Sequence, residues 1–301
     1  MKRGRRECFA LVGPVLALAL VLTGAPLATG AAAPEAELWE RWTAHDRGST
    51  AAIDHRWWTG FLDTYLEPGD DGINRFDYGR VSRADKEALK QYIARLTELP
   101  IDSYNRDEQF AYWVNLYNAL TTDLLLDHYP VASIIKISIS PGWFSVGPWG
   151  KKLVAVEGEA ISLDDIEHRI LRPIWRDPRI HYAVNCTALS CPNLMPEAFT
   201  GANANSLLDQ AAWEYINRPG IIEVRGRGLV VSSLYEWYTD DFGGDDDGVI
   251  AHLLYYADGD LAAALEGAAN IADHRYDWAL NDAGDAVESD NRRHGRSDAK
   301  P

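Results

Sequence analysis

Two cysteines five residues apart, Cys186 and Cys191, lie in the stretch Arg179-Ile-His-Tyr-Ala-Val-Asn-Cys-Thr-Ala-Leu-Ser-Cys-Pro192. A thiol in such a place can act as a nucleophile, as a metal ligand or as half of a disulfide. For the nucleophile, Ser190 and Pro192 around Cys191 predict a helix start, because a hydroxyl caps and a proline suits the first turn. A helix N-terminus stabilises a thiolate. Pro196 would limit that helix to about one turn. A thiol also needs a base. His181 is the nearest, Glu167 is placed to orient it, and His168 is a second candidate base. If Ile180 to Asn185 is a strand, His181 and Cys186 point to opposite faces. That geometry favours Cys191 as the nucleophile. The plain alternative for His181 is a structural hydrogen bond.

The disulfide reading competes directly. Two cysteines left in an exported chain pair by default, and a loop this short removes only modest chain entropy. Zinc held by His168, His181 and both cysteines is the weakest reading, because the cysteine spacing is loose and no paired histidines follow. No metal or cofactor is therefore assigned. Asp245-Asp-Asp-Gly248 resembles part of a calcium loop but lacks its glutamate, since Leu254 stands there. No glycine-rich phosphate loop and no nucleophile elbow occur.

The elements that must position these groups follow from periodicity. Residues 34–54 read as an exposed, Ala/Glu-rich lead-in. A helix is expected over His55–Leu66, and Ser82 with Asp85 predicts a capped helix ending at Leu99. Asn105–His128 carries Phe110, Trp113, Val114, Tyr117, Leu120, Thr121 and Leu124 on one 3.6-residue stripe. Asn115, Asn118 and Thr122 share another face. That row is either solvated or, if buried, part of a hydrogen-bond network. Ser133–Ser140 reads as a strand. Residues 143–146 and 153–156 read as a hairpin over Gly147–Lys152. A helix from Ser162 carries Glu167, His168 and Arg172 and stops at Pro173. Further helices are expected over Asn203–Asn217, Ser233–Tyr238, Val249–Tyr256 and Leu261–Ala268. A second hairpin spans 221–231, and 271–280 reads as extended. The order predicts an α+β fold: one helix-rich domain over 55–281 with a small antiparallel sheet or hairpins. Residues 282–301 read as a disordered tail.

Residues 1–33 read as a secretory leader: a basic start, an apolar run from Phe9 to Leu22 and small residues at Ala28–Ala33. Cys8 would leave with it. Export to the periplasm or the exterior follows, with no membrane anchor after cleavage. Loss of four positive charges and one negative carries the formal charge from −16 to −19. Such an acidic chain repels nucleic acid and anionic lipid.

Several runs resemble domain-of-unknown-function family 547: Phe110–Ala119, Ile161–Arg172, Asp177–Pro192, Ser232–Phe242 and Tyr276–Asn281. The resemblance covers about 105–281. It implies a shared fold and a shared cluster of Asn115, Asn118, Glu167, His168, Arg172, His181, Cys186 and Cys191, but no activity. A papain-like arrangement enters only as an analogy. The cluster has the parts of an acyl-transfer centre: Cys191 as nucleophile, His181 as base, Glu167 as orienter and Asn115 as donor or orienter. Asn118, Arg172 and Arg179 are candidates for binding substrate, the arginines through a carboxylate. Either arginine could instead pair with Asp164, Asp165 or Glu167. The leading expectation is an exported thiol-dependent hydrolase or acyl transferase on a peptide-like amide, with a peptide or small molecule as substrate. The alternative is a disulfide-stabilised periplasmic binding or scaffold protein without catalysis.

Overall fold

Asn105 opens the central helix by accepting bonds from the N–H groups of Asp107 and Glu108 at 3.1 and 3.0 Å. The acids of that first turn face the positive end of the helix dipole. In this computed structural model, which describes residues 34–142 and 146–284, two helices precede it: α1 (Arg56–Tyr65) and α2 (Arg83–Thr97). The central helix is α3 (Arg106–His128). The Ser82 hydroxyl caps α2 by accepting from Asp85 N–H, as its spacing predicts. The expected leader, residues 143–145 of the expected hairpin, and residues 285–301 of the expected tail lie outside the described residues.

Residues Glu108 to Thr122 of α3 are buried without interruption. The single apolar stripe read from the sequence is therefore only one of its buried sides. Helix α2 packs along α3, and aromatic rings from α1 and α2 interlock there: Trp58 lies nearly parallel to Tyr92 at 6.0 Å. The lead-in is mostly exposed but is pinned at Trp42 and Ile53, which are buried. Trp42, on a short 3-10 turn over Glu40–Thr43, is 2% exposed and meets Trp113 of α3 edge-on. An indole of that size removes too much apolar surface from water to stay outside.

Short strands decorate the helices. β1 (Leu66–Pro68) pairs with β2 (Asn74–Phe76), and β3 (Val154–Val156) pairs with β4 (Glu159–Ile161), both antiparallel. The second pair gives 154–156 a partner that follows it in the chain, whereas the partner expected before it lies largely outside the described residues. Glu157 and Gly158 turn the chain with φ of 47° and 87°. Glycine tolerates that conformation but glutamate rarely signals it. Ser133–Ser140 holds a 3-10 turn over Ile134–Lys136 instead of a strand.

The segment from Asp165 to Leu171 is a π-helix, continued by α4 (Arg172–Trp175) to a left-handed Arg176, so Pro173 does not stop it. Ile180–Ala183 is a helical turn, α5, not a strand. Then come α6 (Ala204–Asn217), the hairpin of β5 (Ile222–Arg225) and β6 (Gly228–Ser232), α7 (Leu234–Trp237), α8 (Asp246–Tyr256) and α9 (Gly259–Leu265). Last, β7 (Asn270–Arg275) adds to β6 in parallel. The class is α+β, helix-rich, with small antiparallel pairs and this one parallel addition. Asp282 and Ala283, assigned to the tail, are buried.

Candidate active site

The polar row of α3 is inside, and it builds the cysteine loop. Asn118 donates to Ala183 O at 2.9 Å and accepts from Asn185 N–H at 2.9 Å. Asn185 in turn donates to Pro192 O at 2.6 Å and accepts from Thr187 N–H at 2.8 Å. Two buried amides thus fold residues 185–192 back on themselves. Thr187 stands left-handed at φ 63° inside that loop. From outside, the Leu189 and Ser190 N–H groups bond Ala279 O and Asp277 O. Tyr215 donates to Ser190 O, and the buried Arg218 donates to Cys191 O.

The loop brings the sulfurs of Cys186 and Cys191 to 2.7 Å, unbonded. A covalent pair would stand at about 2.05 Å. Cys191 is 3% exposed, and Cys186 is only partly buried. No helix starts at Cys191; residues 192–200 are irregular. The hydroxyl of Tyr276 lies 3.0 Å from the Cys186 sulfur. Burial pushes the Cys186 thiol up, but contacts from Cys191, Tyr276 and the Ala188 N–H outweigh it and hold the thiol below its ordinary value. Burial and the neighbouring Cys186 push Cys191 well above its own. The two thiols are therefore unequal, with Cys186 the one favoured to ionise first, while the Cys186 N–H donates to the Cys191 sulfur at 2.8 Å. Tyr276, raised by burial and by both sulfurs, stays a donor.

A second group gathers around His181, which is 2% exposed. Its Nε2 lies 2.7 Å from Asp241 Oδ2 and its Nδ1 faces Glu167 Oε1 at 3.4 Å. Arg172 Nε donates to the same Asp241 oxygen at 2.6 Å. Tyr238 stacks on the imidazole at 4.0 Å, and the Arg172 guanidinium lies over that tyrosine's ring. Tyr117 donates to Glu167 at 3.3 Å. Burial raises the Glu167 carboxyl, yet His168, His181 and Arg172 bring it down to about 2. Asp241 is likewise raised by burial and brought to about 2 by His181 and Arg172. Burial drops His168 to about 4, so it is neutral at pH 7.

The structure unites His181 with Glu167, as expected, and adds Asp241, Tyr117 and Tyr238. It does not join His181 to Cys191: among the described residues neither sulfur bonds an imidazole. The expected opposition of His181 and Cys186 across a strand falls with the strand. The Asn115 amide is spent on the Phe199 backbone, donating to its O at 2.7 Å and accepting from its N–H at 3.1 Å, rather than on the cysteines or His181. Arg172 pairs internally, but with Asp241 rather than Asp164, Asp165 or Glu167. Arg179 is held by Asp177, Asp209 and Asn205, away from the bonds of the cysteines and of His181. Among the described residues no group of three or more His, Cys, Asp or Glu is arranged to hold a metal. Asp241 and Tyr276 went unassigned although both lie in runs that carry the family resemblance.

The two groups are neighbours. Glu167 acts electrostatically on Cys186, and both thiols act on Tyr117, the donor to Glu167. Among the described residues no helix is long and apolar enough to cross a membrane. No curated protein and no solved structure matches the chain significantly. Residues 101–216 match the model of the family described as "Protein of unknown function, DUF547", a segment that holds the whole expected cluster from Asn115 to Cys191 but stops short of Asp241 and Tyr276, and over that segment the resemblance read from the sequence holds.

Proposed function

We propose that this protein is an exported thiol–disulfide exchange enzyme in which Cys186 attacks and Cys191 resolves. One observation carries the reading: the sulfur of the partly exposed Cys186 stands 2.7 Å from that of the buried Cys191, and of the two Cys186 is the one held below its ordinary value. Exchange needs an accessible attacking thiolate and a second sulfur close enough to displace the mixed disulfide. Cys186 sulfur attacks one sulfur of a substrate disulfide and expels the other as a thiolate. Cys191 passes its proton to that thiolate, attacks the Cys186 sulfur and releases the second substrate thiol. One substrate disulfide is reduced to two thiols, and the protein dithiol is oxidised. The amide lacing from Asn118 and Asn185 keeps the two sulfurs in register throughout.

Reduced protein mixed with an excess of bis(2-hydroxyethyl) disulfide and quenched in acid tests this by mass spectrometry. The wild type is expected to lose both thiols as an internal bridge. Cys191→Ser should accumulate the mixed disulfide on Cys186, and Cys186→Ser should not react at Cys191. Two thiols that persist in excess disulfide, or an adduct on Cys191 alone, overturn the proposal.

Hydrolysis or acyl transfer on a peptide-like amide is the second reading, with Cys186 in place of Cys191 as nucleophile. The Glu167–His181–Asp241 column beside Cys186 favours it. It requires an acyl adduct on Cys186 that turns over, slowed by His181→Gln. A bridge already closed in the purified protein, whose reduction changes nothing but stability, supports the non-catalytic scaffold instead.

A further inference from the structure

Tyr276 does not stand alone against the Cys186 sulfur. Its ring meets Trp237 at 4.8 Å and Trp278 at 4.7 Å. Trp278 also stacks on Trp237 at 5.6 Å and meets Trp149 edge-on at 5.8 Å. All four rings are only partly buried. They come from three places in the chain: the loop before β3, the end of α7 and the segment after β7. Trp149 and Trp278 pack against the core, and the open part of each ring converges with the others beside a thiol, where it can meet a ligand.

The charged residues next to the rings in sequence are mainly acidic, with Glu236 facing His274 at 3.8 Å. Glu236 and Asp277, sequence neighbours of Trp237, Tyr276 and Trp278, are exposed. Of the cations close in sequence, Lys152 is bound to Asp165 and Arg275 to Glu223. Lys151 is the exposed exception. Electron-rich ring faces with carboxylates at their rim attract a cation carried on an apolar stem.

We infer that the wall of Trp149, Trp237, Tyr276 and Trp278 is the substrate subsite of Cys186, and that it selects disulfides bearing positive charge near the sulfurs, such as basic peptide segments. This inference rests on the exchange reading. In the balanced reaction above, the wall holds the cationic half of the disulfide while Cys186 attacks the adjoining sulfur. The same half departs as the first thiol.

Three small disulfides test it: cystamine (cationic), bis(2-hydroxyethyl) disulfide (neutral) and glutathione disulfide (anionic). The readout is the rate of thiol loss from reduced wild-type protein at low and at high salt. Cystamine should react fastest and glutathione disulfide slowest. Its lead over the neutral probe should persist at high salt by roughly two- to five-fold per ring contact. Trp278→Leu should cut that residual lead by one such factor. Glu236→Gln, which keeps every ring, should slow cystamine alone at low salt. Equal rates for all three probes overturn the inference and leave the exchange reading standing. So does a residual cystamine lead that Trp278→Leu leaves unchanged. A dithiol inert to all three overturns both.

Discussion

Two buried histidines show how differently this molecule treats polar groups in its two regions. His55, at the start of α1, sits among the rings of α1 and α2, 2% exposed. Its Nδ1 shares a 2.6 Å bond with the Tyr92 hydroxyl, and its Nε2 has no partner. Burial drops it to about 4, against a weak pull from Asp54, so the ring is neutral at pH 7. His181 is equally buried but stands between two carboxylates that burial alone would neutralise. Those carboxylates stay ionised because Arg172 and His181 lie against them. The first region tolerates one neutral polar group in an aromatic pack. The second keeps charge inside, which stability alone does not require. That difference sets the second region, which borders the cysteine pair, apart from ordinary core packing.

The sharpest way to break the comparison is to remove a charge. Glu167→Ala leaves Arg172 and His181 short of a buried anion and is expected to cost about 3–5 kcal/mol. His55→Leu removes a neutral group, orphans only the Tyr92 hydroxyl and should cost about 1–3 kcal/mol. Urea unfolding of both variants reads the contrast. Equal losses would mean that the charged nest is no more demanding than the aromatic pack.

Acid separates the regions next. A free histidine titrates near 6.5, while His55, His168 and His252 do so near 4 once folded. Between those values the unfolded chain binds the protons and the folded one does not, so stability falls as pH drops from 6.5 to 4. His55 alone accounts for up to about 3 kcal/mol of this. Asp164, raised to about 6 mainly by burial, works the other way: it binds a proton in the folded chain first and offsets part of the fall. Glu167 and Asp241 have depressed values. Their contribution is whole above about pH 4 and is lost only as pH falls toward 2. His55→Phe should therefore flatten the 6.5-to-4 limb by about one proton's worth of slope and leave the limb below 4 unchanged. Unfolding curves across that range check it, and an unaltered upper limb would refute the neutral reading of His55.

The sequence carried the aromatic region better than the charged one, for physical reasons. The Asn105 cap and the 3.6-residue recurrence of large rings are local signals, and α3 follows them. Ile180–Asn185 alternates in a way that fits a strand, and only the bonds of Asn118 to Ala183 and Asn185 decide for a turn of helix. The choice between Cys186 and Cys191 depends on Tyr276 and Arg218, far along the chain, which no spacing rule reaches. The bond of His181 to Asp241 crosses 60 positions. The Ala/Glu composition of the lead-in showed its mostly exposed course but not that Trp42 anchors it against Trp113.

Deleting one hydroxyl in each region gives the smallest effect and reverses the order. Tyr92→Phe leaves His55 with neither ring nitrogen paired, and an orphaned buried group costs about 1–3 kcal/mol. Tyr117→Phe removes a 3.3 Å bond from Glu167, which still faces His181 and feels the charge of Arg172, so about 0.5–1.5 kcal/mol is expected. The aromatic pack thus suffers more from losing a hydroxyl, and the charged nest more from losing a charge. Redundant charge contacts make the nest robust to the first edit and fragile to the second. If Tyr117→Phe proved the costlier by urea unfolding, Glu167 would depend on that one hydroxyl, and the nest would be a hydrogen-bond chain rather than a balance of charges.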